Sequence, residues 1–235
     1  MKEKFKRLLG EWSLFEILFL IFGVIVVTLG FIAGADKNVF SYVVSVIGVL
    51  SVIFLAKGWV VAPIVGIVYS VLYAILAAYS RFYGEVIVLV VLIPINVATI
   101  ISWLKNKDKS KESQVIVNKI SKKEYIYLLL ATGVLSVAMY YLLLILNTSE
   151  VMVSTIALLA TLIATYLSYR RSAYYAVAYL IADGIRVGLW CISLFQGESM
   201  HLPTMLCFVM FIVSDVYGLI HWDREKNRQN DNLTN

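Results

Sequence analysis

The chain has 235 residues, 61% hydrophobic and 15% charged, with a net charge of +5 at pH 7. That balance is far from an average soluble domain and leaves little sequence for one once the apolar segments are set aside. Nor does the positive charge point to nucleic acid: of twenty Lys and Arg residues, seventeen fall at one end of eight successive apolar runs, two (Lys37 and Arg81) at the other, and Arg186 inside a run. Such placement sets membrane topology and meets anionic lipid.

Each run is about 20 residues, enough at 1.5 Å per residue to cross a ~30 Å hydrocarbon core. Helix is the expected form, because lone strands leave their backbone unsatisfied in lipid and these runs lack the alternation of a barrel strand. The first run, 14–33, follows Lys2, Lys4, Lys6 and Arg7. It ends in Phe31-Ile32-Ala33-Gly34 without a clean small-x-small cleavage site, so it is expected to be a retained span. Runs 38–56 and 59–79 meet at Lys57, and Pro63 falls near a helix start, where proline is tolerated. Run 84–104 carries Pro94 in mid-span, a hinge candidate.

The stretch 105–123, opening Lys105-Asn106-Lys107-Asp108-Lys109-Ser110-Lys111-Glu112, is polar and without apolar periodicity, and reads as the one linker. Runs 124–146, 150–168, 172–194 and 202–222 follow, with Arg170-Arg171 between the sixth and seventh and a basic tail from Arg224. The asymmetry of basic residues assigns Lys57, the 105–123 loop and both termini to the cytoplasm, and Arg81 and Glu198 to the outside. The fold class expected is therefore an all-α polytopic membrane protein of eight transmembrane helices, one domain over 1–235. Asn147-Thr148-Ser149 matches a glycosylation sequon and is read as coincidence.

The two halves resemble each other. Lys57 matches Arg170 and Gly84-Glu85 matches Gly197-Glu198, both pairs 113 residues apart. Asn96 to Trp103 matches Asp215 to Trp222 at an offset of 119, which implies a six-residue insertion near Ser199–Met205. Spans two to four then repeat as six to eight, and the fifth span restores the orientation between them. Parallel repeats of this kind are a known transporter plan, with substrate held between the repeats near mid-membrane.

The 3+1+3 plan, the Phe82-Tyr83-Gly84-Glu85 turn leading into Ile93-Pro94-Ile95-Asn96 and Ser102-Trp103-Leu104-Lys105, the second-half Asp183 and the closing Tyr217-Gly218-x-x-x-Trp222 resemble the Pnu family of bacterial vitamin transporters (PnuC type) over roughly residues 38–226. The resemblance implies a SWEET-like architecture in a bacterial cell membrane and uptake of nicotinamide riboside by facilitated diffusion, with cytoplasmic phosphorylation trapping the product. It also implies a Trp-x-x-Trp pair just before the seventh-span aspartate. Here that stretch is Ala176-Val177-Ala178-Tyr179. The vitamin therefore stays open among nicotinamide riboside, thiamine, riboflavin and deoxynucleosides, all carried by relatives on the same frame.

Apart from the resemblance, the seventh span names a site. Tyr179, Asp183, Arg186 and Trp190 follow at intervals of four, three and four, which stacks them on one helical face. Each mid-membrane charge costs at least ~2.5–3.5 kcal/mol. The pair is either a self-neutralising tie between spans or a polar wall for a hydroxylated or amide-bearing ligand. The repeat offsets set Ser70 against Asp183, Tyr73 against Arg186 and Asn96 against Asp215, so six polar positions converge on the expected interface. Most of Tyr69, Tyr73, Tyr174 and Tyr175 read as packing or interface-belt residues. Cys191 and Cys207 read as small apolar packers, and His201 and His221 lack neighbouring ligands, so no metal and no cofactor is expected.

The expected function is alternating-access transport of a small, uncharged or cationic, ring-bearing vitamin or nucleoside, its ring on Tyr179 or Trp190 and its polar edge on Asp183, Asn96 and Asp215. Assembly as a homo-oligomer stays open. Two other classes were weighed. An intramembrane hydrolase needs paired carboxylates, but Ala182-Asp183-Gly184 and Ser214-Asp215-Val216 lack the Tyr-Asp and Gly-x-Gly-Asp signatures of that class. A membrane sensor would call for an output domain, for which the sequence offers no stretch.

Overall fold

The computed structural model describes residues 12–34, 37–111, 113–148, 150–195 and 202–234. Lys2, Lys4, Lys6, Arg7, Gly197, Glu198 and His201, all used above, lie outside the described residues. The helices are α1 (Leu14–Ala33), α2 (Val39–Ala56), α3 (Ala62–Tyr79), α4 (Tyr83–Lys105), α5 (Lys122–Ile145), α6 (Val151–Tyr169), α7 (Tyr175–Phe195) and α8 (Leu202–Thr234). All eight are long and apolar enough to cross a membrane. Local chemistry fixes several starts. Ser13 and Glu16 form a reciprocal capping box on α1, while Asn38 and Ser121 cap α2 and α5. Pro63 and Pro203 sit in first turns, and α4 runs on through Pro94.

Helices α2, α3, α4, α6, α7 and α8 pack in that order into a closed ring, with α1 laid outside against α2 and α8, and α5 outside against α6. Exchanging α2–α4 for α6–α8 leaves the ring pattern unchanged, as the repeat requires. The turns agree bond for bond. After α2, the amides of Lys57, Gly58 and Trp59 donate to the carbonyls of Ile53, Leu55 and Phe54; after α6, Arg170, Arg171 and Ser172 donate to Tyr166, Ser168 and Leu167, each atom 113 residues on. The turning residues, Gly58 and Arg171, both adopt left-handed backbone, with φ of 63° and 58°. A side chain at Gly58 would also meet the Trp222 ring at 3.3 Å, so glycine suits this copy of the turn on both counts.

A second equivalence closes the basic end of the ring. Trp103 of α4 donates its indole N–H to the Ser168 carbonyl of α6 at 3.0 Å, and Trp222 of α8 donates to the Leu55 carbonyl of α2 at 3.3 Å. The donors differ by 119 residues and the acceptors by 113, so the two bonds cross between the halves in opposite senses. The rings lie 5.7 Å apart and are fully buried, with Tyr175 against Trp222. Lys57, also at this end, is buried between the rings of Trp12 and Trp59 and pairs with Glu16 at 2.5 Å; Tyr217 donates to the other Glu16 oxygen. This cluster fastens α1 to the ring.

Two expectations need correction at the same end. Helix α8 does not stop near 222 but continues to Thr234, supported by the i,i+3 ion pair Glu225–Arg228 at 2.6 Å. The 105–123 stretch is not a loose linker. Ser113 O accepts from Val60 N–H, Val115 N–H donates to Gly58 O and Asn118 N–H to Arg171 O, so the strap crosses both repeat-related turns. Arg228 of α8 then pairs with Asp108. Burial alone would push the Asp108 carboxyl up, but the Ser110 amide and hydroxyl and the Arg228 guanidinium outweigh it and hold it at about 2, against 3.8 ordinarily. A depressed carboxylate contributes stability above its unfolded value and loses it as pH falls toward its folded one. The protection factors of the Val115 and Ile116 amides should therefore stay unchanged from about pH 8 to pH 5, and fall only between about pH 4 and pH 2. Loosening near pH 6 would show that another group holds the strap.

Candidate functional site

A central cavity of about 110 Å³ lies between the two halves. From the first half, α3 contributes Tyr69, Ser70 and Tyr73, and α4 contributes Glu85, Leu89, Leu92 and Asn96. From the second, α6 contributes Thr161 and Ser168, α7 Tyr179, Asp183 and Arg186, and α8 Phe208, Phe211 and Asp215. Tyr69 and Tyr73, four residues apart on one helical face, stack at 5.6 Å with ring planes 9° apart.

Arg186 organises the polar wall. Its Nε donates to Glu85 at 2.9 Å, one terminal nitrogen to Asp183 at 2.9 Å and the other to Thr161 at 2.5 Å. Its guanidinium carbon lies 5.6 Å from the centre of the Phe208 ring. All three groups that receive a guanidinium N–H are buried, and they come from α4, α7 and α6. The i,i+3 pair foreseen within α7 is therefore real but is only part of a network tying three helices together.

Asp215 lies beside Asp183 on the same polar wall. Three carboxyl groups thus share the cavity with one guanidinium. Two buried carboxyl oxygens, Glu85 Oε1 and Asp215 Oδ2, have no hydrogen-bond partner among the described residues. Unpaired buried acceptors are costly, and here they sit where a ligand could supply donors.

Of the eight residues named from sequence, Asp183, Arg186, Tyr179, Asn96, Asp215, Ser70 and Tyr73 line this one cavity. Trp190 is set apart. It is fully buried, donates its indole N–H to the Tyr73 hydroxyl at 3.2 Å and packs edge-on to Phe82, so it stands behind the wall and not in it. Tyr179 is held by a hydroxyl contact to Thr165 at 2.9 Å. Tyr69, read as a packing residue, lines the cavity, whereas Tyr174 is exposed and Tyr175 belongs to the tryptophan floor.

Glu85, Thr161 and Phe208 were missed. In the sequence Glu85 is a repeat landmark and the end of the Phe82-Tyr83-Gly84-Glu85 turn at a span edge, yet α4 begins at Tyr83 and places it 1% exposed. The available signal was charge: one membrane-depth arginine flanked by more acids than Asp183 alone.

Fold and site together define a polytopic membrane protein of two like-oriented three-helix halves around a polar, acid-rich cavity. The chain belongs to the nicotinamide mononucleotide transporter family, whose model matches residues 38–224. It is similar to the nicotinamide riboside transporter PnuC of Neisseria mucosa, 23% identical over 224 residues, covering 93% of this chain and 84% of the relative. It also superposes on the crystal structure of the vitamin B3 transporter PnuC with a TM-score of 0.82 and 22% identity, covering 95% of this chain and 97% of that one.

Proposed function

We propose that the chain carries a cationic, ring-bearing nucleoside, nicotinamide riboside foremost, into a bacterial cell by facilitated diffusion, the two halves rocking about the bound ligand. The observation that carries this reading is the charge balance of the cavity: Glu85, Asp183 and Asp215 against Arg186 alone. Nicotinamide riboside brings a pyridinium cation, ribose hydroxyls and a carboxamide, which are the charge and donors the two unpaired carboxyl oxygens lack. A phosphate monoester meets like charge there, because Arg186 is already engaged by Glu85 and Asp183. This favours the riboside of the relative's name over the mononucleotide of the family's.

Purified protein in liposomes should take up labelled nicotinamide riboside and saturate, with the mononucleotide competing at least about tenfold more weakly. Uptake of thiamine, riboflavin or a deoxynucleoside in preference would reassign the substrate, and uptake of none would sink the reading.

The orientation belongs to the same proposal: strap, Lys57 and both termini cytoplasmic. Single cysteines at positions 81 and 113 in intact cells should react with an impermeant thiol reagent only at 81. Labelling of both would overturn the topology.

A further inference from the structure

We propose that a groove between α1 and α8 at the basic end is a binding site for one anionic phospholipid. The groove has two parts that share Phe15 and Val213. Its deep part is apolar, walled by Leu18, Phe22 and Ile25 of α1 and by Met210 of α8. From Phe15 to Ile25 is ten residues, about 15 Å of helix, which is half of a ~30 Å hydrocarbon core. The length suits an acyl chain of one leaflet.

The mouth has the opposite character. Lys57, Lys111, Arg224, Gln114, His221 and Tyr217 line it, with Glu16 as its only acid among the described residues. Lys57 is committed to Glu16, and Lys111 reaches Glu225 at 2.7 Å across the rim while remaining 44% exposed. Arg224 is exposed. Cations stacked on an apolar slot at headgroup level match a negatively charged phosphodiester above an acyl chain. A second copy of the chain fits less well, because it would bring its own basic end against this one.

The test is native mass spectrometry of the detergent-purified protein given phosphatidylglycerol and phosphatidylcholine in equal amounts. One phosphatidylglycerol should be retained at least about tenfold over phosphatidylcholine. The double change Lys111→Ala with Arg224→Ala should abolish that preference, and Val213→Trp should exclude the lipid, with vitamin uptake reporting that each variant is folded. Equal retention of both lipids by the unaltered protein refutes the site, as does a preference that survives the double change. Groove-dependent pairing of two chains in place of lipid retention would refute it too.

Discussion

Replacing Arg186 with methionine is expected to destabilise the protein by about 3–5 kcal/mol, because it leaves Glu85 and Asp183 buried without their cation. The thermal melt in detergent should fall, with no folded fraction at the temperature where the parent half-unfolds. Adding Glu85→Gln to Arg186→Met should recover part of the loss, since it removes one of the two stranded charges. Arg186→Lys should fall between, because a lysine ammonium cannot place three donors in the fixed fork that reaches Glu85, Asp183 and Thr161 at once. A melt unchanged in Arg186→Met would mean that the network contributes nothing to folding.

Asp183→Asn is expected to act on transport instead. Arg186 keeps Glu85 and Thr161, so the variant should fold and melt near the parent. The ligand loses a charge-assisted hydrogen bond of about 1.5–3 kcal/mol, which corresponds to roughly a 10- to 150-fold loss in uptake efficiency. Uptake equal to the parent would exclude Asp183 from the binding wall. The double change Asp183→Asn with Arg186→Gln, which would restore stability if the two residues were only a self-neutralising pair, should fail to do so, because Glu85 then stands alone.

The contrast between these two variants shows where sequence reading reached and where it stopped. Span lengths, the odd fifth helix and the offsets of 113 and 119 were legible because lipid imposes a fixed run length and duplication preserves spacing. The same offsets bring Ser70, Tyr73, Asn96, Asp183, Arg186 and Asp215 to one interface, and all six line the cavity. Glu85 was opaque, because its role depends on α4 and α7 meeting inside the ring, and nothing in local spacing reports which side chains meet from separate helices. Trp190 was over-read for the converse reason. Helical phase places it on the right face, but depth along the helix sets it behind Tyr73. The strap and the long α8 were hidden because polar sequence at a membrane edge gains its order from tertiary partners, here Asp108 with Arg228, and not from periodicity.

The crossed tryptophan bonds have a consequence for how the cavity meets the water on its basic side. Leu55 and Ser168, whose carbonyls accept the two indoles, also line the cavity, so the floor and the chamber share residues. Because each bond runs from one half to the other, a separation of the halves at this level breaks both together. Two buried indole N–H groups are then freed, and only incoming water can satisfy them, whereas the Leu55 and Ser168 carbonyls keep the amides of Gly58 and Arg171. Parting and wetting should therefore be a single event, and the barrier to it should fall when either indole is replaced by a ring that leaves no stranded donor.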